Sequence, residues 1–422
     1  MDWIERDLAV NWHPYTQMQH AYEKPPVLIE RARGLKLYDN KGSWYYDAIS
    51  SWWCNIHGHN HPFIMEAIRA QTEVLDHVLF AGFTHRGAVE LAEKLVAAAP
   101  ERLTRAFFSD NGSTAVEVAM KMSFQYWQNK GTGSRTGFLS FDRGYHGDTI
   151  GAMSVSGVDV FNKRFAPLFC RTYKVTSPQG DGENTLKELE RILKDKGHEI
   201  AAMIIEPLVL CAGGMRMYSP ECLCRIRELT GRYDVHLIAD EIAVGFGRTG
   251  RMLACDHSGV SPDFMCLSKG MTSGTLPISV TLTGTDIYES FLDSEYYGKT
   301  FFHGHTYTAN PLACAAALAT LDLFTQERTM DNVADNAELF RDRLNGLGKY
   351  DCVSNARVLG FIGAVDISGD ISAADICSAA LNHNLLLRPL GNVLYVFPPL
   401  AASSFEINDI YDRIHAAICD II

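Results

Sequence analysis

The chain has no surplus of positive charge. Lys plus Arg number 38 against 50 Asp plus Glu, a formal charge of −12. A polyanion such as nucleic acid, or an anionic membrane surface, would therefore be repelled rather than held. Any anion bound here has to be caught locally, by backbone N–H groups or a few placed cations. Long apolar runs are also missing. No window approaches eighteen continuous apolar residues, so no membrane-spanning helix is expected. The opening "MDWIERDLAVNWHPYTQM" lacks a basic stretch leading into a long apolar one, and it does not read as a secretory signal. Cysteine is not scarce, with 11 residues, but paired metal spacing is absent. The closest pair, Cys222 and Cys224, falls in a helical pattern. An odd number of scattered cysteines predicts free thiols in a reducing cytosol. Repeats and low-complexity linkers are lacking too.

What is present suits a large α/β protein. At 422 residues, 47% hydrophobic and 21% charged, the chain can build one large domain and a smaller partner. "LKLYDNKGSWYYDA" reads as a hairpin turning at Asn40-Lys41-Gly42. From about Pro62 helices alternate with short apolar runs. "RAFFS", "GFLSF", "IAAMIIEP" and "VHLIAD" read as strands, with two more near Met265 and Ile278. In "STAVEVAMKMSFQYWQ", Val116, Ala119, Met120, Phe124 and Trp127 recur at helical spacing. Ser219 before Pro220 opens another helix, and a long one begins near Asn310. This alternation predicts a largely parallel sheet covered on both faces. Past that helix the pattern changes. "VLGFIGAVDI" and "VLYVFPP" read as strand-like runs and Glu406 to Ile422 as a final helix, together a smaller α+β domain joined by the N-terminal hairpin.

Ligands of a parallel sheet bind beyond the carboxyl ends of its strands, and four features fall there. "FFSDNGSTAVE" turns through Asp110, Asn111 and Gly112 into a helix starting at Ser113 or Thr114. Such a turn presents N–H groups and hydroxyls to an anion, although an ordinary N-cap looks the same. It is no Walker loop, since no GKS or GKT follows. Asp240 closes "VHLIAD" and can pair with a cationic ring nitrogen; alone, it could equally bind a metal or cap a turn. "DRGYHGDT" offers the flat faces of Tyr145 and His146. Lastly, "FMCLSKGMTSGTLPISVTL" places one charged side chain, Lys269, where a strand leaves the sheet. A phosphate cradle, an aromatic plate, a carboxylate and a lone lysine are together what pyridoxal phosphate needs, because the cofactor bonds to a lysine as a Schiff base and an acid keeps its ring nitrogen protonated.

"LIADEIAVGFGRTG", followed by "PDFMCLSKGMTSGTLPIS", resembles the signature of the class III aminotransferases, of the fold-type I pyridoxal-phosphate group, in order and spacing. The likeness runs through essentially the whole chain. It implies a large domain with a mostly parallel, mixed sheet covered by helices, spanning 56–320, a smaller α+β domain over 321–422, and an N-terminal segment, 1–55, that joins the smaller domain. It also implies roles for single residues. Lys269 carries the cofactor and shuttles the proton in two ping-pong half-reactions, and Asp240 partners the pyridine nitrogen. Tyr145 stacks on one face of the ring and Ile242 packs on the other. Gly112 and Ser113 cradle the phosphate. Thr306, in "HGHTYTANPLACAAA", reaches the phosphate of a neighbouring subunit, which makes the expected assembly a homodimer with shared active sites.

Within that family "NWHPYTQM", "ISSWWCNIHGHNHP", "FFHGHTYTANP" and "LLLRPLGNVLYVFPP" resemble the members that aminate 8-amino-7-oxononanoate in biotin synthesis, with S-adenosyl-L-methionine as amino donor. Tyr15, Trp52 and Trp53 then form an aromatic wall suited to a long aliphatic chain and a sulfonium. Arg388 holds a carboxylate with Tyr395 beside it, Gly304 joins the substrate set, and Tyr15 counts with Lys269 and Asp240 in the catalytic group. "HGHT" departs from the "HGPT" of some members and puts His305 at the phosphate edge. Lysine as donor, or an ω-amino-acid or diamine aminotransferase, is the alternative. A regulatory scaffold would require a lost lysine or aspartate, and both are present. His57, His59 and His61 alternate like metal ligands, but the surrounding Gly58, Asn60 and Pro62 predict a turn into a helix. "GFGRTG" superficially matches a dinucleotide loop but lacks the strand–loop–helix order; it reads as a loop supporting the cofactor. The implied location is cytoplasmic.

Overall fold

The computed structural model describes all 422 residues. A seven-stranded sheet runs, edge to edge, through Leu103–Ser109, Ser279–Gly284, Phe264–Leu267, His236–Asp240, Ile200–Ile205, Gly137–Phe141 and Thr172–Val175. Ser279–Gly284 is antiparallel to both neighbours. The remaining pairs are parallel. The sheet is thus mixed but mostly parallel, and its central strands are buried along their whole length. Thr172–Val175, "TYKV", is too short and too polar to stand out as an apolar run, so the sequence pattern does not mark it as a strand.

Helices cover the sheet where the apolar spacing predicts them. Val116, Ala119 and Met120 of helix Gly112–Asn129 are buried with Ile204, Ile238 and Phe264 of the strands. Phe124, assigned to the same stripe, is instead 39% exposed. At about 100° per residue it sits at the margin of the stripe rather than its centre. Pro220 and Pro311 open helices Pro220–Arg232 and Pro311–Gln326, where a missing N–H costs nothing. Ser219 and Asn310 cap them, accepting from Cys222, and from Leu312 and Ala313.

The C-terminal part carries an antiparallel sheet of Val353–Leu359, Ile362–Ile367, Val393–Val396 and Pro389–Leu390, with helices Thr329–Asn345, Ala373–Asn382 and Ser404–Cys419. The run "VLGFIGAVDI", expected as one strand-like stretch, is split between two strands that turn at Gly360. There φ is +55°, and a Cβ would stand 2.4 Å from the Arg248 carbonyl oxygen. Only glycine fits both demands. The close approach belongs to the loop Gly245–Gly250. Its Arg248 is fully buried and donates to the carbonyls of Phe361 and Pro398 and to Ser50 Oγ. That loop, expected to support the cofactor, ties the two sheets' segments together. The N-terminal hairpin Lys36–Asp39 and Trp44–Asp47 turns as expected, with Asp39 Oδ1 accepting from the N–H groups of Lys41 and Ser43. Trp44–Asp47 then pairs in parallel with Leu385–Leu386, which stitches the start of the chain to its end.

Sheet order decides where chemistry can occur. Asp240 pairs with Cys266, and Ser279 pairs with Ser109. The segments after Ser109, Asp240 and Leu267 therefore leave the sheet side by side, next to the start of Ser279–Gly284. The loops carrying Ser113, Asp240, Lys269, Glu206 and Tyr145 all open on that one edge.

Candidate active site

Two cavities meet at this edge. The inner one, of 470 Å³, is lined by Gly112, Ser113, His146, Asp240, Ile242 and Lys269, among others. The outer one, of 1680 Å³, takes in Tyr15, Trp52, Arg388 and the segment Val158–Phe161. Trp53, Cys54, Tyr145 and Lys269 belong to both. Lys269 thus stands at the junction of a small inner chamber and a large outer one.

Lys269 has a left-handed backbone, φ +39°, on the turn that follows Leu267. This strained conformation is backed by Ser268, whose hydroxyl donates to the Ile278 carbonyl at 2.8 Å. The ammonium makes no ion pair; it lies 4.8 Å from the centre of the Trp53 ring. A cation held over an aromatic face, with no carboxylate in contact, is poised for a partner that is not protein.

The inner chamber begins at the helix Gly112–Asn129. The helix starts at Gly112, just ahead of the expected Ser113 or Thr114, and Asn111 is its N-cap: its side chain accepts from Thr114 N–H. The cap leaves the N–H groups of Gly112 and Ser113 free for an anion. A Cβ on Gly112 would stand 2.9 Å from Ile242 Cγ2, so the bare glycine lets Ile242 pack over the cradle. Gly112→Ala is expected to push Ile242 inward. The overpacking should cost about 1–3 kcal/mol of stability and weaken cofactor binding, to be read by thermal melting and cofactor titration.

Asp240 closes the opposite side. Its Oδ2 accepts from His146 Nδ1 at 2.7 Å, and its Oδ1 from Ile242 N–H at 3.1 Å. Both oxygens are therefore oriented. His146 is fully buried and its Nε2 has no partner. His146, expected as a second aromatic face, is instead the clamp that aims Asp240. Glu206 was missed altogether. It follows the strand Ile200–Ile205 and accepts from the N–H groups of Tyr145 and Cys211 at 3.0 and 2.9 Å. Burial, and then the charge of Asp240, push it up to about 8, so that it holds a proton near neutral pH. The one available signal was a carboxylate directly following an all-apolar run.

The outer chamber is aromatic. Tyr15 OH lies 3.1 Å from Tyr145 OH and donates to Asp148 Oδ2 at 2.5 Å. Burial, and then the Asp148 carboxylate, push Tyr15 up to about 12; burial, and then Tyr15, raise Tyr145 as well. Tyr15 meets Trp52 edge-on at 5.4 Å, and the Arg388 guanidinium stacks on Trp52 at 3.9 Å. Arg388 has no acidic partner.

Trp52 and Trp53 divide, and the backbone explains how. Ser50, Ser51, Trp52 and Trp53 all have positive φ, from 44° to 79°. Left-handed residues other than glycine cost about 1–2 kcal/mol each. The turn is held by Asp47, which accepts from Ser51 N–H, Ser51 Oγ and His59, and by Ser50 Oγ, which donates to the Phe397 carbonyl at 2.7 Å. Burial alone would raise Asp47, but the His59 and Ser51 hydrogen bonds hold it below the ordinary carboxylate range. The result is Trp52 facing the outer chamber, 37% exposed, and Trp53 at 4% beneath Lys269. Tyr395 is 0% exposed and packs behind Trp53, 6.1 Å between rings. It does not border the chamber, where the sequence had put it beside Arg388. The three alternating histidines part company: His57 contacts the Thr320 carbonyl, His59 contacts Asp47 and His61 contacts Glu327. Gly304 and Thr306 are exposed and line neither chamber of their own chain.

These residues fit pyridoxal phosphate. The glycine-bounded helix start suits a phosphate, the oriented Asp240 suits a cationic ring nitrogen, Tyr145 and Ile242 lie in the same chamber, and Lys269 is unpaired. Comparison with known proteins points the same way. The aminotransferase class-III family matches residues 17–418. The adenosylmethionine-8-amino-7-oxononanoate aminotransferase of Geobacter sulfurreducens is 42% identical, over 99% of this chain and 96% of its own. The crystal structure of the Methanocaldococcus jannaschii enzyme of that name superposes with a TM-score of 0.96 at 36% identity, covering 99% of this chain and 98% of that one. An omega transaminase from Pseudomonas jessenii in complex with PMP superposes with a TM-score of 0.94 at 29% identity, covering 100% and 98%.

Proposed function

The chain belongs to the class-III aminotransferases, and from that premise we propose that it transfers the amino group of S-adenosyl-L-methionine to the ketone of 8-amino-7-oxononanoate. The product is 7,8-diaminononanoate, a step of biotin synthesis. Fold alone does not separate this reading from an omega transaminase, since both superpose above a TM-score of 0.9. The outer chamber supports it. An unpaired arginine stacked on Trp52, beside Tyr15, provides a carboxylate receptor at the rim of an apolar wall. The acceptor has that shape: a carboxylate at the end of a long aliphatic chain.

Pyridoxal phosphate, when bound, supplies an electron sink for the carbon that exchanges its amino group. The chain's own residues do the rest. Gly112 and Ser113 hold the phosphate, Tyr145 and Ile242 confine the ring, and Asp240 presents its aimed carboxylate to the ring nitrogen. Lys269 Nζ binds the cofactor and, when released, takes a proton from the donor's α-carbon. Trp53 beneath it limits where the amine can swing. Arg388 anchors the substrate carboxylate and Trp52 shields the chain from water.

A homodimer belongs to this reading. Gly304 and Thr306 are exposed and lie outside both chambers, beside the exposed Phe302 and Tyr307; they would complete a neighbouring subunit's site. No helix is long and apolar enough to cross a membrane. All eleven cysteines are free, as a reducing cytoplasm would keep them.

The test is to mix purified protein with 8-amino-7-oxononanoate and, separately, adenosylmethionine, lysine or a diamine, and to assay diaminononanoate. Product with adenosylmethionine alone is expected; product only with lysine or a diamine would replace the donor assignment. Trp52→Ala should raise KM for the acceptor by roughly 30-fold, about 2 kcal/mol of lost apolar contact, with cofactor binding intact. Arg388→Ala should weaken carboxylate substrates by about 2 kcal/mol and spare amines without a carboxylate. Loss of cofactor and stability in Trp52→Ala, without selective change in acceptor affinity, would make Trp52 a core residue and reopen the specificity.

A further inference from the structure

The helix Ile150–Val155 has only six residues, too few to be stable by itself. It follows directly on the loop that carries Tyr145, His146 and Asp148. Thr149 stands at its N-cap, yet the side chain makes no capping bond and Oγ1 has no partner. A distant residue caps the helix instead. Glu117, on the helix Gly112–Asn129, accepts with Oε1 from the N–H groups of Gly151 and Ala152, at 2.7 and 3.2 Å. These are the donors that an N-cap serves.

The other end of the helix meets a cation. Lys174, on the edge strand Thr172–Val175, lies opposite Ser140 in the register of the parallel pair. Its Nζ donates to Ser140 Oγ at 2.8 Å and to the carbonyls of Ser156 and Ser154 at 2.9 and 3.4 Å. Every ammonium hydrogen thus has an acceptor, and none of these acceptors is a carboxylate. Burial pulls Lys174 down to about 8, while Cys170, Asp142 and Asp159 work the other way; at neutral pH it is still an ammonium. A methionine would pack the same stem without desolvating a charge. What the ammonium adds is a grip on the last carbonyls of the helix. An acid at the first turn and a cation at the last both suit the helix dipole.

Ser156 carries this grip to the site. Its carbonyl also accepts from Asn162 Nδ2 at 2.8 Å. Its Oγ accepts from His146 N–H at 2.9 Å, and the next residue, Gly157, donates its N–H to the Gly144 carbonyl at 2.7 Å. His146 Nδ1 in turn reaches Asp240 Oδ2 at 2.7 Å. Movement of the helix would therefore move the imidazole that aims the carboxylate. We propose that Glu117 and Lys174 are positioning residues: they brace the helix Ile150–Val155 at its two ends and, through Ser156, hold His146 and with it Asp240 in line with the cofactor's ring nitrogen. This rests on reading Asp240 as the partner of that nitrogen.

The test is the donor half-reaction of the holoenzyme at neutral pH, followed by stopped-flow absorbance with adenosylmethionine, or with lysine if the parent uses that donor alone. Lys174→Met and Glu117→Ala should each fold, bind pyridoxal phosphate and lower the maximal rate about tenfold, less than a fully misplaced catalytic group costs. The donor concentration at half-maximal rate should change by less than about twofold. Lys174 borders the outer chamber, but its hydrogens are all committed, and Glu117 lines neither chamber. Made in the Asp240→Asn protein, the same changes should slow the half-reaction by less than about twofold, since no carboxylate is left to aim. Either variant decides if the other fails to fold. A folded variant with the parent's rate would overturn the proposal, as would a loss confined to donor affinity, or the full tenfold loss repeated in the Asp240→Asn background. An unchanged rate in Asp240→Asn alone would instead remove the reading on which the brace rests.

Discussion

Lys269→Ala should yield a folded protein that still takes up pyridoxal phosphate, yet turns over at least about 10³-fold more slowly, because a covalent anchor and a proton carrier are lost together. Folding should survive because Lys269 makes no ion pair or hydrogen bond; its ammonium rests on Trp53 alone. Alanine also relieves the chain of burying an aliphatic stem in a strained turn, although the left-handed φ of +39° remains for the new residue. Cofactor uptake should survive because the cradle at Gly112 and Ser113, and the Asp240 carboxylate, do not depend on the lysine. The absorbance of the bound cofactor should match its free aldehyde form, and mixing with adenosylmethionine should change it only slowly. Turnover close to that of the parent in a pure sample would remove Lys269 from the centre of the site.

Much of this site was legible in the sequence for one physical reason. In an α/β protein the chemistry gathers where apolar strand runs stop, and those stops are easy to see. Lys269, Asp240, the Gly112–Ser113 turn and Tyr145 each follow such a run, and they converge because consecutive parallel strands end on the same edge. What the sequence hid depends on contacts between distant segments. His146 clamps Asp240 across 94 positions and Glu206 holds Tyr145 across 61; no periodicity reports such pairings. The left-handed turn Ser50–Trp53 was hidden for another reason. Neither serine nor tryptophan favours positive φ, so local propensity argues against the conformation that Asp47, His59 and the Phe397 carbonyl impose. The small Trp53 exposure and the burial of Tyr395 follow from that turn. "VLGFIGAVDI" misled because a tight glycine turn inside an apolar run looks like more strand.

Asp240→Asn should separate catalysis from folding more cleanly than any other change. Each carboxylate oxygen now has one donor, Ile242 N–H on Oδ1 and His146 Nδ1 on Oδ2. An amide keeps one acceptor and gains a donor. If its oxygen stays with Ile242, its NH₂ faces His146, and a donor against a donor would ordinarily be costly in a buried place. His146 has an escape. Its Nε2 is without a partner, so the hydrogen can move there and leave Nδ1 to accept. The variant should therefore fold and melt close to the parent, within about 1 kcal/mol. Chemistry has no such escape. A neutral amide cannot stabilise a cationic ring nitrogen as a carboxylate does, and the electron sink weakens with that charge. The donor half-reaction should slow at least about 10²-fold, equivalent to roughly 3 kcal/mol of transition-state stabilisation. Stopped-flow mixing of the variant with adenosylmethionine measures it directly. An unchanged half-reaction would place Asp240 away from the ring nitrogen, whereas a collapse in melting temperature would show that His146 cannot exchange its proton and that the pair is chiefly structural.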